Sequence, residues 1–451
     1  MKFQSKNPYT GEIYFERSLL SSADLTQKLG QAEALFHKWN ALELESRIDA
    51  IRPIAGYLRE HLEELAQCIT REMGKPISES RAEIQKCALL VDYYVEEAPS
   101  VLSSEKTFND GVEEGVRRDA LGAVLGVMPW NFPFWQVFRF AIPSLLAGNV
   151  ALLKHAPNMP DTAERIETLI QEASGYRLLT QLTIDVETIS DVLDSPIVRG
   201  ACLTGSVKAG QAYAAQAAKR IIPTVLELGS NDPFIILSDS NLENACDTFI
   251  DSRFGNSGQT CIAAKRLIVE ETVYDEVEHM VKQRIEELSV QDPMKDATRL
   301  SCMAREDLAD QLFKQWSASI EAGAEVIIKP EQNGTHFSPG FLRNPPQDAP
   351  AWSEELFGPV AVICKASDMN HAIQMANDTR FGLGASVWTS DSSKARQMVS
   401  QLNYGTVVVN QKTASDPRWP FGGIKDSGYG RELGKEDLLE FVNLKTYKID
   451  L

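Results

Sequence analysis

The sequence predicts an α/β protein built from two open parallel sheets. Two observations carry this prediction. From Leu121 onward, short apolar segments alternate with stretches of helical periodicity, and a second set of the same kind follows Cys261. Such alternation is typical of βαβ units, in which helices cover both faces of a parallel sheet. At 451 residues, the chain is long enough for two or three domains.

The first hundred residues are predicted to be mostly helical. One amphipathic helix follows the capping candidate Ser22, because apolar residues recur there at helical spacing: Leu25, Leu29, Ala32, Phe36 and Trp39. A second helical pattern covers residues 43–72 and stops at the GKP sequence of residues 74–76, since glycine followed by proline ends a helix. A third pattern covers residues 78–97.

Two groups of predicted strands follow. The first group contains the segments AVLGVM, NVALLK, GACLT, TVLEL and PFIIL, together with a predicted helix in VKAGQAYAAQAAKR. The second group contains RLIVEE, AEVIIK, AVICKA, GASVWT and GTVVVN. We therefore expect two α/β domains in sequence, without internal repeats.

Composition and charge exclude several classes of function. The chain has 43% apolar and 24% charged residues, which is ordinary for a soluble globular protein. Its net charge of −18 disfavours nucleic acid as a partner, because nucleic acid requires a basic surface. The longest apolar stretch, residues 140–153, is interrupted and too short to cross a bilayer, so no membrane partner is expected. The first residues lack the apolar core of a signal peptide.

The cysteines indicate a reducing compartment. Seven cysteines are scattered along the chain without a CxxC pair. This pattern argues against a disulfide framework and against a zinc site, so no metal is expected. We therefore predict a cytoplasmic protein.

Cys261 differs from the other cysteines in its surroundings. It lies in the stretch FGNSGQTCIAAKR, among glycine and small polar residues, whereas the other six lie in or beside apolar or helical segments. A buried cysteine that acts only as a small apolar side chain is the ordinary alternative. The small neighbours make Cys261 a candidate nucleophile.

Other polar residues follow predicted strands. Asn131 lies in a proline-bracketed turn after AVLGVM, where an asparagine can also serve the turn alone. Glu227 interrupts an apolar strand, so that burial would raise its pKa toward the range of a general base; a buried ion pair with arginine or lysine is the alternative. Gly205 and Ser206 precede a helix, whose free N–H groups could bind a phosphate, although neither a Walker A loop nor GxGxxG is present.

Seven blocks in order connect these residues. They are PWNFP (129–133), LLKHAP (152–157), TGS (204–206), LELGSNDP (226–233), GQTC (258–261), EELFGPV (354–360) and PFGGIKDSGYGREL (420–433). In this order and spacing, the chain resembles the aldehyde dehydrogenase superfamily from NPYTGEIY near its start to SGYGREL near its end. The resemblance implies NAD(P)-dependent oxidation of an aldehyde to the carboxylic acid.

The resemblance also implies the domain organisation. It predicts an NAD(P)-binding domain over residues 1–227, a catalytic domain over 228–412, and a return segment with a C-terminal strand over 413–451. A hairpin near residues 106–119 and the strand at residues 441–451 would cross to a neighbouring subunit, which predicts a homo-dimer or homo-tetramer. The alternating pattern of FVNLKTYKIDL suits an edge strand that needs a partner.

Three residues take catalytic roles by this resemblance. The Cys261 thiolate would attack the aldehyde to form a thiohemiacetal, which becomes a thioester after hydride transfer. The Asn131 side chain and the Cys261 backbone N–H would donate to the oxyanion. Glu227 would activate the water that hydrolyses the thioester.

The cofactor site follows from the same blocks. Residues assigned to it are Trp130, Lys154, Gly205, Ser206, Glu355 and Phe357. Relatives strict for NAD often carry a glutamate where this chain has Pro157, so that repulsion of a 2′-phosphate is missing here. Neighbouring His155 could favour NADP. We therefore predict use of either NAD or NADP.

Arg139 provides a prediction about the substrate. Arg139 lies in the segment WQVFRF, eight residues after Asn131. At this position the succinate-semialdehyde dehydrogenases carry an arginine that can bind a carboxylate. A structural ion pair is the alternative. The KHAP and SDPR-x-PFGG segments are also similar to bacterial succinate-semialdehyde dehydrogenases, although Gly255 stands where many of them have a second arginine. Ser415 or Arg418 is predicted to compensate.

Other substrates and classes stay open at this point. Glutarate semialdehyde or a general aliphatic aldehyde would suit the same chemistry. A cysteine hydrolase would need a histidine base, yet His155 is the only histidine within a matching block. A non-catalytic relative would be expected to lose Cys261 or Glu227, and both are present.

Overall fold

The computed structural model describes residues 2–450; Met1 and Leu451, which the predicted first domain and last segment include, lie outside the described residues. Its strands are β1 (Lys2–Lys6), β2 (Ile13–Ser18), β3 (Glu105–Asn109), β4 (Val112–Ala120), β5 (Ala123–Met128), β6 (Val150–His155), β7 (Leu179–Gln181), β8 (Val198–Thr204), β9 (Thr224–Glu227), β10 (Pro233–Ile236), β11 (Arg266–Glu270), β12 (Glu325–Ile328), β13 (Gln332–Asn333), β14 (His336–Phe337), β15 (Gly340–Arg343), β16 (Val360–Ala366), β17 (Gly384–Trp388), β18 (Thr406–Val409), β19 (Gly428–Tyr429) and β20 (Val442–Ile449).

The helices connect these strands and cover the sheets. They are α1 (Ser22–Asn40), α2 (Leu44–Ile51), α3 (Pro53–Glu60), α4 (Leu62–Met73), α5 (Ile77–Leu102), α6 (Trp135–Leu146), α7 (Pro160–Ser174), α8 (Ile189–Leu193), α9 (Val207–Lys219), α10 (Leu242–Phe254), α11 (Tyr274–Glu286), α12 (Glu306–Glu321), α13 (Pro350–Ser353), α14 (Met369–Asn377) and α15 (Ser392–Gln401). No helix within residues 2–450 is long and apolar enough to span a membrane.

The first sheet has the strand order β19-β9-β8-β5-β6-β7. Strands β9, β8, β5, β6 and β7 run parallel, whereas the short edge strand β19 is antiparallel to β9. Strand β6 is buried along its whole length, which explains the apolar run at residues 150–153 before Lys154. Because parallel strands end at one edge of a sheet, the segments after Met128, Thr204 and Glu227 lie together there.

The second sheet has the order β12-β15-β16-β11-β10-β17-β18. All neighbouring strands in it are parallel except the edge pair β12 and β15. The apolar segment PFIIL therefore belongs to the second sheet as β10, although the sequence grouped it with the first. Separate apolar cores pack against this sheet.

The chain returns to the first sheet near its end. Gly428 of β19 pairs with Glu227 of β9, and the N–H of Leu228 donates to the carbonyl of Ser427 at 3.0 Å. Gly428 has φ 114°, and a Cβ there would collide with the carbonyl of Leu226, so only glycine permits this close approach. The return segment thus forms one wall beside Glu227.

Three further strands form a separate small sheet, while β1 with β2 and β13 with β14 form two-stranded sheets. In the order β20-β4-β3, strand β20 pairs antiparallel with β4 of the same chain from Val442 to Ile449. Strand β3 forms the other edge, and every residue of it is exposed. Phe108 on β3 is 70% exposed, and Leu444 and Ile449 on β20 are exposed as well.

The predicted helices differ in detail from the observed ones. Ser21, not Ser22, caps α1, because its hydroxyl accepts from the N–H of Asp24 at 3.2 Å. The predicted helix over 43–72 is broken into three, with Pro53 at the start of α3. The third predicted helix continues beyond residue 97 to Leu102, with Pro99 inside it. Gly74 does end α4, in the left-handed conformation that the GKP pattern requires.

Candidate active site

Cys261 lies between two cavities and lines both of them. One cavity of about 500 Å³, which we call the helix-side cavity, is bordered by α5, α6 and the segment after β18: its walls include Lys86, Trp135, Arg139, Thr413, Ser415 and Phe421. The other, of about 410 Å³, lies at the carboxyl ends of β5, β8 and β9 and is called the strand-end cavity: its walls include Trp130, Gly205, Ser206, Glu227, Glu355 and Phe357.

The backbone before Cys261 is held in an unusual conformation. Asn256 and Ser257 have φ values of 53° and 54°, a region that non-glycine residues seldom occupy. The Asn256 side chain donates to the carbonyl of Asn131 at 2.9 Å, and the Ser257 hydroxyl donates to the carbonyl of Ser301 at 3.0 Å. These buried bonds keep the loop, and with it Cys261, in place.

The surroundings of Cys261 keep it protonated. Burial raises the pKa of its thiol to about 12, although Lys265 and Arg139 act in the opposite direction. The Lys265 ammonium lies beside the loop and donates to the carbonyls of Thr260, at 3.1 Å, and Cys261. The thiol must therefore pass its proton to a base before the sulfur can attack an electrophile.

The Asn131 side chain has a fixed orientation. Its Nδ2 donates to the carbonyl of Gln259 at 2.9 Å, and its Oδ1 accepts from Nε2 of Gln136 at 3.1 Å. Gln136, which sequence reasoning missed, also lines both cavities. Because Nδ2 carries two hydrogens and makes one bond among residues 2–450, its other hydrogen can donate into the strand-end cavity, which Asn131 and Cys261 both line.

Glu227 is a buried carboxyl group without an observed partner. Its side chain is 3% exposed, and neither oxygen has a hydrogen-bond partner among residues 2–450. Burial and the nearby carboxylate of Glu432 raise its pKa well above the usual range, while Arg139 and Arg431 oppose this shift. The alternative interpretation was an ion pair of Glu227 with an arginine or a lysine. Among residues 2–450, no such pair is formed.

Arg139 forms a buried ion pair instead of facing the cavity with a free charge. Its Nη2 lies 2.6 Å from Oε2 of Glu432, on the return segment. Burial alone would lower the pKa of Arg139, but Glu432 and Glu227 raise it. Arg139 lines the helix-side cavity. The structure nevertheless contains the structural ion pair that was the alternative to binding of the substrate carboxylate by Arg139.

The two other residues predicted to bind substrate lie in different places. Ser415 lines the helix-side cavity, where its Oγ accepts from Nζ of Lys86 at 2.7 Å and from Nε1 of Trp135 at 3.2 Å. Arg418 is exposed, with 69% of its side chain accessible, and bonds to Asp416. It lines neither cavity, so the structure does not bring Arg418 to the site. Sequence reasoning missed Lys86, because a lysine within α5 carries no motif.

The residues assigned to the cofactor mostly line the strand-end cavity. The Trp130 and Phe357 rings meet edge to face, with centroids 5.7 Å apart. Ser206 caps α9 by accepting from the N–H of Ala209 at 3.3 Å, and Gly205 precedes it. Glu355 accepts from the N–H of Ser230 at 3.2 Å and lies 3.3 Å from Nζ of Lys265.

Lys154 and His155 do not line the strand-end cavity. Lys154 is buried at the end of β6 and does not line the strand-end cavity, so its assignment stays a prediction. His155 accepts at Nδ1 from the N–H of Ala156 at 2.8 Å, and its Nε2 lies 3.0 Å from the carbonyl of Pro133. Burial lowers the pKa of His155 to about 4. Both ring nitrogens of His155 therefore have partners within the protein, and the expectation that His155 favours NADP stays a prediction.

Sequence comparison places the chain in a family. The profile of the Aldehyde dehydrogenase family matches residues 1–447. The chain belongs to the aldehyde dehydrogenase family. This confirms the family resemblance.

Individual relatives cover nearly the whole chain. Succinate semialdehyde dehydrogenase [NAD(P)+] Sad of Escherichia coli is 40% identical over 98% of this chain and 96% of its own length. Succinate-semialdehyde dehydrogenase [NADP(+)] of Deinococcus radiodurans is 37% identical over 98% of this chain and 94% of its own length.

Solved structures confirm the predicted fold class. The crystal structure of succinic semialdehyde dehydrogenase from Streptococcus pyogenes, in complex with NADP+, superposes with a TM-score of 0.95 and 32% identity. The superposition covers 100% of this chain and 99% of that one. The two-sheet aldehyde dehydrogenase fold is thus shared along the whole chain.

Proposed function

We propose that this aldehyde dehydrogenase oxidises succinate semialdehyde to succinate with NAD or NADP. The observation that carries the proposal is the position of Cys261, which borders the helix-side cavity and the strand-end cavity at once. The first would hold the aldehyde and the second the nicotinamide. Relatives named as succinate-semialdehyde dehydrogenases, at 37% to 40% identity, support this substrate.

The strand-end cavity suits a dinucleotide. Gly205 leads into the N-terminus of α9, whose free N–H groups can meet a pyrophosphate. A Cβ at Gly229 would lie 2.5 Å from Oε2 of Glu355, so glycine keeps this part of the cavity open. Trp130, Ser206, Glu355 and Phe357 would hold the cofactor there. When bound, the nicotinamide would accept the hydride that converts a thiohemiacetal on sulfur into a thioester.

The first step on this chain's own residues is attack by Cys261. The thiol passes its proton to a base, for which Glu227 is the candidate, and Sγ adds to the aldehyde carbon. The positive charges of Lys265 and Arg139, which oppose the raised pKa of the thiol, stabilise the thiolate. The carbonyl oxygen becomes an oxyanion, to which Nδ2 of Asn131 and the N–H of Cys261 donate. Each such donor contributes about 3 kcal/mol.

The last step is hydrolysis of the thioester. After it has released the thiol proton to solvent, Glu227 takes a proton from water as the water oxygen attacks the thioester carbon. The C–S bond then breaks to release the acid and the Cys261 thiolate. Glu227 is suited to this role because its two oxygens are free of other partners. Its raised pKa strengthens it as a base once it has lost its proton.

A kinetic assay tests the proposed function. Reduction of NAD and of NADP should be followed by absorbance with succinate semialdehyde and with butanal, which has the same chain length without the carboxylate. We expect turnover with both cofactors and a higher kcat/KM for succinate semialdehyde. Absence of reduction with either aldehyde would contradict the proposal, and preference for butanal would contradict the carboxylated substrate.

We further propose a cytoplasmic homo-oligomer. All seven cysteines are free thiols, which suits a reducing compartment. The small sheet supports an interface, because its outer strands β3 and β20 expose unpaired edges and the apolar side chains of Phe108, Leu444 and Ile449.

A further inference from the structure

Lys86 places a half-buried ammonium in the helix-side cavity. Its Nζ donates to Oγ of Ser415 at 2.7 Å and lies 4.2 Å from the centre of the Trp135 ring. Within residues 2–450, no carboxylate pairs with it. The ammonium is therefore held in place by a hydroxyl and a ring face, and two of its three hydrogens stay available.

Ser415 adds a second available donor. Its Oγ accepts from Lys86 and, at 3.2 Å, from Nε1 of Trp135. With both lone pairs occupied, the hydroxyl hydrogen must point away from these two groups. No acceptor for it is found in the described part of the chain. Lys86 and Ser415 thus present an ammonium and a hydroxyl donor from one wall of the cavity.

The other cations of this cavity differ from Lys86. Arg139 is neutralised by Glu432 at 2.6 Å, and Arg299 lies 3.6 Å from Asp251. Lys412 is exposed to solvent at the rim, where water screens its charge. Lys86 alone among the lining cations is both half-buried and without a carboxylate in residues 2–450.

We propose that Lys86, together with the Ser415 hydroxyl, binds the carboxylate of the aldehyde substrate and sets the preference for carboxylated aldehydes. This inference rests on the proposed function. One carboxylate oxygen accepts from the ammonium and the other from the hydroxyl. A charge-assisted bond from an ammonium without a competing anion is stronger than one from a cation that is already paired. Arg139 is then a positioning residue that acts through Glu432 and Glu227.

Variants at two lysines test the assignment. Lys86→Met removes the charge while keeping a long side chain, and Lys86→Arg keeps the charge. Lys412→Met is the matched control, since it removes a positive charge from the same cavity at its exposed rim. For each variant, kcat/KM is measured with succinate semialdehyde and with butanal, and circular dichroism checks the fold.

We expect Lys86→Met to lower the ratio of the two kcat/KM values about tenfold or more, mainly through KM for succinate semialdehyde. Lys86→Arg should recover part of the ratio, and Lys412→Met should change it less than about twofold. An equal loss with both aldehydes, or an equal change in Lys412→Met, would overturn the inference. If the unaltered enzyme oxidises butanal but does not prefer succinate semialdehyde, both the carboxylated substrate and the role of Lys86 are wrong.

A pH profile gives a readout that a structural role would not produce. Burial and the charge of Arg139 lower the pKa of Lys86 to about 8, while Cys87, Glu83 and Asp416 act in the opposite direction. The ratio of kcat/KM for succinate semialdehyde to that for butanal should fall as pH rises past about 8, because the ammonium loses its proton.

Titration of the catalytic groups affects both aldehydes and cancels in this ratio. In Lys86→Arg the ratio should stay level to higher pH, because a guanidinium keeps its charge. A level ratio in the unaltered enzyme would contradict the assignment. If the ratio falls with pH in Lys86→Arg as it does in the unaltered enzyme, another group must be titrating. This result would also overturn the assignment of Lys86.

Discussion

Arg139 and Glu432 meet inside the protein, with Nη2 of the arginine 2.6 Å from Oε2 of the glutamate and with 4% and 1% of the side chains exposed. The thiol of Cys202 donates to the other oxygen of Glu432 at 3.2 Å. The pair connects α6 to the return segment, and both charges lie close enough to Glu227 to shift its pKa in opposite directions. The pair therefore links the packing of α6 on the return segment to the pKa of Glu227.

Removal of Arg139 should destabilise the protein strongly. Arg139→Leu leaves Glu432 buried without its cation, for which a loss of about 3–5 kcal/mol in the free energy of unfolding is expected. Chemical denaturation measures this loss. The double variant Arg139→Leu/Glu432→Gln should recover most of the stability, because no isolated charge remains.

The same double variant tests the role of Arg139 in substrate binding that the sequence predicts. If the guanidinium binds the substrate carboxylate, KM for succinate semialdehyde stays high even after stability is regained. A KM near that of the unaltered enzyme would show that Arg139 acts only through Glu432.

Replacement of Cys261 should abolish turnover but not cofactor binding. Cys261→Ala removes the sulfur that forms the covalent intermediates, whereas the strand-end cavity keeps its other walls. Calorimetric titration with NADP and NAD should still show binding. Cys246→Ala is the matched control, because Cys246 is buried in α10 and lines neither cavity. Dehydrogenase activity in Cys261→Ala would refute the assigned nucleophile.

Glu227 should control the pH dependence of thioester hydrolysis. Because its pKa is raised, the carboxylate needed as base becomes more populated as pH increases, so kcat should rise with pH. Glu227→Gln should lower kcat by about 10²–10⁴-fold and remove this rise. In rapid mixing, formation of reduced cofactor should slow as well, because Glu227 is also the candidate base for the Cys261 thiol. Unaltered kcat would exclude Glu227 as the base.

Glu227 should also lower stability at alkaline pH. The pKa of Glu227 in the folded state lies above its ordinary value of 4.5, so the folded state binds the proton more tightly than the unfolded state. The contribution of Glu227 to stability is thus complete below pH 4.5 and is lost as pH rises through the folded pKa. Glu227→Gln cannot ionise, so its Tm relative to the unaltered enzyme should increase with pH. A constant difference in Tm across this range would contradict the raised pKa.

The exposed edge of β3 should take part in assembly. Phe108→Glu places a charge on an apolar side chain that is 70% exposed, which should shift the protein to a smaller species in light scattering. Thr107→Glu is the matched control, because adjacent residues of a strand face opposite sides. Equal molar mass in all three proteins would exclude this face from an interface.

The sequence predicted the strands well because their signal is local. Parallel strands such as β6 and β16 consist mostly of apolar residues, and each of the ten segments quoted above forms a strand. The helix boundaries were less accurate. The sequence pattern predicts the cap at Ser22, whereas the bond from the N–H of Asp24 to the Ser21 hydroxyl places it one residue earlier.

Residues of the candidate site that lie in family motifs could be predicted from the sequence. Residues that reach the site only through the fold could not. Cys261, Asn131 and Glu227 stand in family blocks, whereas Lys86 meets Ser415 only because the fold joins positions 329 residues apart. The sequence placed Arg139 near the substrate, but the buried partner Glu432 comes from a distant segment. Arg418 lies in a block beside Ser415, yet the chain turns its side chain toward solvent and Asp416.

The pairing of β19 with β9 has a consequence for synthesis of the protein on the ribosome. Cys261 and Glu227 are translated well before the return segment that supplies Glu432, Ser415 and the wall around Gly428. A nascent chain that has folded only the strands up to β18 still lacks this wall. Cys261 is therefore made early, and its surroundings are completed only when the last segments have left the exit tunnel.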